Sequence, residues 1–162
     1  MRHLIMTIAS IALLTGGAQA AGSHAGGHGH DDAEMAIGKP AEAAKAKRTV
    51  TITMFENDDG AMLFEPASLE VKEGETIRLS FVNKGETDHE FVMDDHEELM
   101  KHKEMMAKFP EMEHDDPNSV RLAPGAKGEI VWTFARAGNF AFACLIPGHY
   151  EAGMKGEITV SH

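Results

Sequence analysis

The sequence predicts an all-β domain, a sandwich or barrel with one inserted helix and a disordered N-terminal arm. Three observations carry this expectation. Short runs rich in β-branched and aromatic residues alternate apolar with polar side chains from Arg48 onward, turn signals separate them, and one segment between Asp94 and Phe109 departs from the two-residue period. A strand that buries alternate residues needs a second layer to cover them, so many such strands imply stacked or closed sheets.

The chain opens with MRHLIMTIASIALLTGGAQA, which has the anatomy of a secretory leader. Arg2 and His3 form a short basic start, Leu4 to Leu14 is apolar, and Ala18-Gln19-Ala20 is a small-x-small cleavage site. The apolar run is shorter than the roughly 20 residues a membrane span needs. No later segment approaches that length, so the expectation is an exported, periplasmic protein without membrane insertion. Residues 21–47 hold AGSHAGGHGHDD and few large apolar side chains, which predicts a disordered arm carrying His24, His28 and His30.

Strands are expected at TVTITMF (Thr49–Phe55), then at Ser68–Lys72 and Thr76–Asn83 with Glu73-Gly74-Glu75 as the turn between them. Four more follow: HEFVM (His89–Met93), GEIVWTF (Gly128–Phe134), NFAFACL (Asn139–Leu145) and GEITV (Gly156–Val160). The helix at 94–109 is signalled by Asp94-Asp95-His96-Glu97, a capping box with Asp94 as N-cap, and Pro110 forbids its continuation. Residues 48–162 thus form one domain, a size at which a single core is the expectation.

The net charge of −11 at pH 7 becomes one more negative once Arg2 leaves with the leader. Such a surface disfavours nucleic acid and anionic membranes as partners and suits a basic patch on another protein, although the same charge also keeps an exported protein soluble.

Cysteine usage is the sharper clue. Exported domains normally pair their cysteines, yet Cys144 is the only one, and it stands in FACLIPGHYEAGMKGEITV with His149 and Met154. Thiolate, imidazole and thioether at Cys-x4-His-x4-Met spacing suit copper far better than magnesium or calcium, and zinc rarely takes methionine. Pro147-Gly148 and Ala152-Gly153 supply turns that return the three side chains toward one point. Without a metal the same residues read as a buried thiol, a turn histidine and core filler. A blue-copper set needs a second histidine. His89, after the polar turn Asn83 to Asp88, is the natural candidate.

FEPASLEVKEGETIRLSFVNKGETDHEFVM followed by FACLIPGHYEAGMKGEITV resembles the cupredoxins, the type 1 blue copper proteins. The ligand loop is similar to those of rusticyanin and auracyanin. HEFVM, ACLIPGH and the Met- and His-containing helix between them resemble above all the exported CopI-type cupredoxins of copper-tolerance operons. The resemblance covers roughly Arg48 to Val160. It implies a cupredoxin-like Greek-key β-barrel around one copper, with His89, Cys144 and His149 in plane and Met154 axial. Where many cupredoxins have Asn after the first histidine this chain has Glu90, and the backbone N–H of Leu145 is a candidate donor to the sulfur.

The inserted segment DDHEELMKHKEMMAKFPEMEHDD adds His96, Met100, His102 and His114 as candidate secondary copper ligands, with His24, His28 and His30 of the arm. The alternative has Leu99, Met106 and Phe109 packed on the barrel and the histidines solvated. Three functions compete. A copper-tolerance cupredoxin would bind copper and exchange one electron, with a redox or copper-handling protein of the periplasm as partner and the chain itself a monomer. A plain electron carrier needs only one copper. An oxidase or nitrite reductase needs more than one such domain and a histidine beside the cysteine, where this chain has Ala143 and Leu145. No catalytic residues are therefore expected.

Overall fold

The computed structural model describes residues 35–110 and 116–162. In chain order the strands are Gly38–Pro40 (β1), Thr49–Glu56 (β2), Met62–Glu65 (β3), Ser68–Lys72 (β4), Thr76–Asn83 (β5) and His89–Asp94 (β6). The helix His96–Lys108 (α1) follows, then Ser119–Leu122 (β7), Lys127–Phe134 (β8), Gly138–Ala143 (β9) and Lys155–Ser161 (β10). One five-stranded sheet has the order β1-β8-β5-β2-β3 and the other β4-β10-β9-β6-β7. β2 pairs parallel with β5, and β10 parallel with β4. A sandwich of this kind is the expected all-β architecture. Among the described residues no helix is long and apolar enough to cross a membrane.

Alternation along the strands builds the core. β5 turns Ile77, Leu79 and Phe81 inward, β8 adds Ile130, Trp132 and Phe134, and the other sheet answers with Leu69, Val71, Phe140, Ile158 and Val160. All belong to one cluster, so the inner faces of the two sheets cover each other. Phe64, Phe91 and Phe142 meet at its centre, with ring centroids 5.1–5.8 Å apart, separations at which aromatic pairs attract beyond their area.

The structure departs from the sequence-based expectations at several places. Residues 35–47 are not a disordered arm: β1 pairs with β8, and Ile37 is fully buried. One large apolar side chain docked against Trp132, whose Nε1–H donates to the Ile37 carbonyl at 3.4 Å, outweighs a polar local composition. β3 and β7 were not expected, being four residues each with little room for alternation. The turn expected at Gly74 (φ 77°) forms, and the strands on either side of it belong to different sheets. β9 ends at Ala143, which leaves Cys144 and Leu145 just beyond it.

The helix starts one residue later than expected. Asp95 is the N-cap and accepts from the Glu98 N–H at 2.9 Å, while Asp94 ends β6 and accepts from the Asp95 N–H. Asp94 is still paired with Ala141 of β9, so the helix can begin only after it. Leu99 and Met106 are buried as the packing alternative expects, but Phe109 is 60% exposed. It is the C-cap, with φ −133°, and so leaves the buried stripe.

Candidate metal centre

β6 and β9 are antiparallel neighbours, with Val92 opposite Ala143 and Met93 opposite Phe142. Alternation then sorts their side chains. Phe91, Met93, Phe140, Phe142 and Cys144 face the core between the sheets, whereas Val92, Ala143 and Leu145 face the helix with Leu99 and Met106. His89, two residues before Phe91, shares the inward phase and is fully buried.

The segment from Cys144 to Met154 folds back on itself through its own backbone. Cys144 N–H donates to the Met154 carbonyl at 3.0 Å, Met154 N–H to His149 at 3.1 Å, and His149 N–H to Ile146 at 3.0 Å. Gly148 (φ 92°) and Gly153 (φ 104°) take the left-handed backbone that closes these turns. The expected turns thus form: they bring His149 Nδ1 to Cys144 Sγ and return the backbone of Met154 to Cys144.

One donor atom each from His89, Cys144 and His149 lies within 4.8 Å of the other two. His149 Nδ1 is 3.3 Å from His89 Nδ1 and 3.3 Å from Cys144 Sγ. The Met154 side chain is wholly buried in the core cluster that also holds Cys144.

Burial dominates the electrostatics. It lowers the pKa of His89 below the usual imidazole value although Glu56 opposes the shift, and it lowers that of His149, with His89 adding to the effect. Burial pushes the Cys144 thiol up to about 12, against the N–H groups of Glu90 and Ile146. Near neutral pH the centre therefore presents two uncharged imidazoles and a protonated thiol. A soft, uncharged, desolvated donor set without a carboxylate fits copper, whose positive charge would replace the thiol proton.

The sulfur's donors differ from the expected one. Glu90 N–H donates to Cys144 Sγ at 3.3 Å, and the Ile146 N–H also points to it. Leu145 lies in the opposite phase and packs toward the helix. The residue after His89 thus ties the two ligand segments through its backbone, a tie that does not depend on side-chain identity.

Sequence reasoning missed Glu56. Its carboxylate sits 3.1 Å from His89 Nε2 and accepts from Glu86 N–H (2.9 Å), Thr87 N–H (3.2 Å) and Thr87 Oγ1–H (2.6 Å). Nothing local marks it, because the contact spans two strands far apart in the chain. Asn83 was likewise missed: fully buried, it donates to the carbonyls of Thr87 (2.8 Å) and Leu122 (2.9 Å), and its Oδ1 accepts from Gly85 N–H.

Of the candidate secondary ligands, His96 and Met100 line a groove of ≈ 430 Å³ between α1, β9 and β10, beside Tyr150. His102 is half-buried on α1. His24, His28, His30 and His114 lie outside the described residues. Lys103 ties the helix to the ligand loop, 2.6 Å from Glu151 and 5.2 Å above the Tyr150 ring.

The family model for copper-binding proteins of the plastocyanin/azurin type matches residues 51–161. The chain belongs to that family. This cupredoxin is 44% identical over 164 residues to the copper-resistant cuproprotein CopI of Rubrivivax gelatinosus, covering 99% of this chain and 96% of the relative. It is 37% identical over 155 residues to the CopI of Pseudomonas aeruginosa, covering 78% and 83% respectively. Among solved structures it is similar to the dithionite-reduced auracyanin of Roseiflexus castenholzii, at 26% identity and a TM-score of 0.61, covering 72% of this chain and 99% of that one.

Proposed function

We propose that this cupredoxin holds one copper through His89, Cys144, His149 and Met154, and that it serves copper tolerance in the periplasm by binding copper and exchanging one electron. The carrying observation is the convergence of three donor atoms within 4.8 Å, where His89 and Cys144 are buried and His149 is half-buried. Copper bound there supplies a one-electron change between Cu(I) and Cu(II). The chain's own part is to keep the donors fixed and dry: His89 is anchored at the start of β6, the Cys144–Met154 segment is closed by its own hydrogen bonds, and Cys144 gives up its proton on loading. Donors that need no rearrangement between the two oxidation states permit fast electron exchange. The four residues are read as an exchange centre and not a catalytic one, since Ala143 and Leu145, not a histidine, flank Cys144.

Tolerance is favoured over plain electron carriage by the likeness to the two CopI proteins and by the groove that offers His96 and Met100 as a second place for copper. A basic surface on a periplasmic redox or copper-handling protein suits the net charge of −11. The leader that implies export lies outside the described residues.

An absorption spectrum of the copper-loaded protein tests the ligand set. An intense thiolate-to-copper band is expected in the visible, and Cys144→Ser removes it, because a hydroxyl is too hard and too poorly ionised to replace thiolate. A band that survives the substitution excludes Cys144 as ligand.

A further inference from the structure

We infer that Glu56 is a positioning residue for the copper centre: its carboxylate holds His89 in the tautomer that carries hydrogen on Nε2, leaving Nδ1 bare toward Cys144 and His149. The inference rests on the assignment of His89 as a ligand and deepens it.

Three observations support it. First, the two ring nitrogens of His89 face different partners. Nε2 lies 3.1 Å from Glu56 Oε1, within ion-pair reach but too bent to make a hydrogen bond in this geometry, and Nδ1 lies 3.3 Å from His149 Nδ1. An ionised carboxylate only accepts, so the nitrogen facing it is the one that bears hydrogen. Second, the carboxylate is itself held. Thr87 Oγ1–H and the N–H groups of Glu86 and Thr87 all donate to it, so the anion keeps its place without following the imidazole. Third, the pair has been given room. A Cβ at Gly85 would collide with Glu56 Oε2 and stand 2.7 Å from His89 Nε2. Gly85 is not among the residues of positive φ. The close approach, not the backbone, is what excludes a side chain there.

A fixed anion behind a ligand imidazole has two consequences. It orients the ring before the metal arrives, and it raises the basicity of the metal-facing nitrogen. Both favour the more highly charged Cu(II) over Cu(I), so Glu56 lowers the reduction potential relative to a site without it. Loss of such an outer partner commonly weakens metal affinity about 10- to 100-fold. Every tenfold loss borne by Cu(II) alone raises the potential by about 59 mV for a one-electron couple.

The experiment uses the full chain. In the ¹⁵N-labelled metal-free protein, long-range ¹H–¹⁵N correlation is expected to show His89 with hydrogen on Nε2, and hydrogen on Nδ1 overturns the inference without any variant. In the copper-loaded protein, voltammetry of Glu56→Gln and of Gly85→Ala is expected to show a raised potential while the visible thiolate band persists. The first removes the charge at nearly constant shape, and the second displaces the pair by a methyl group on unstrained backbone. A merely loop-capping Glu56 predicts no change in potential for Glu56→Gln, and that result also overturns the inference. Should one variant not fold, the other and the wild-type tautomer still decide. A wild-type protein with no thiolate band sinks the ligand assignment instead, so the two failures are distinguishable.

Discussion

At the scale of single residues, the centre is controlled by what burial does to protons. The thiol of Cys144 is held at about 12, and the two imidazoles below their usual value, so a neutral solution finds one proton to displace, that of the thiol. Copper uptake should therefore tighten with rising pH, about tenfold per unit from the imidazole range up to about 12, and fall more steeply in acid as the histidines charge too. Competition titrations across pH, paired with proton release in buffers of different ionisation enthalpy, check this. Affinity that does not vary with pH contradicts a thiol-to-thiolate exchange on binding.

At the scale of elements, β1 and α1 carry the consequences. Ile37 is an apolar anchor in a segment whose composition is polar, and it is fully buried with Trp132 in the core cluster. Ile37→Ala is expected to cost about 2–5 kcal/mol, the usual range for such a truncation, measured by chemical denaturation of the metal-free protein. A cost near zero would mean that β1 is an ornament. The helix packs Leu99 and Met106 on the outer face of β6 and β9 and is held to the ligand loop by Lys103, while His96 and Met100 line the groove. Changing His96 and Met100 together to Ala should leave the visible band intact, since neither touches the centre, and lower the copper bound beyond one equivalent. Alanine suits helices well, so α1 survives the change. Elemental analysis decides between capture and a solvated surface.

At the scale of the whole molecule, the centre sets limits on stability against pH. Burial alone would raise the Glu56 carboxyl, but the hydrogen bonds from Thr87 and Glu86, with His89 nearby, bring it down from 4.5 to about 2. This stabilisation is present above pH 4.5 and is lost as pH falls toward 2, because the unfolded chain takes the proton first. Cys144 sets the opposite limit. With its folded value raised from 9.0 to about 12, the unfolded chain ionises first and stability falls as pH rises from 9 toward 12. Denaturation of the metal-free protein at a series of pH values should trace both limbs. Cys144→Ser flattens the alkaline one and leaves the acid one in place.

What the sequence determined by itself was whatever depends on neighbours in the chain. Two-residue alternation located seven strands and a capping signal located the helix to within a residue, because burial of one face and satisfaction of a helix end are local requirements. The Cys-x4-His-x4-Met spacing was legible for the same reason: the loop closes through its own backbone, Cys144 to Met154 and Met154 to His149. Tertiary structure alone decided what depends on distant partners. Ile37 became core only because β8 was there to receive it. The turn at Gly74 was legible, but that the strands on either side of it pair in different sheets was not. Glu56 acquired its place behind His89 only when β2 and the segment after β5 met. Nothing near Glu56 in the sequence distinguishes it from the other acids; the hydrogen bonds that hold its carboxylate come from Glu86 and Thr87, residues that only folding brings beside it.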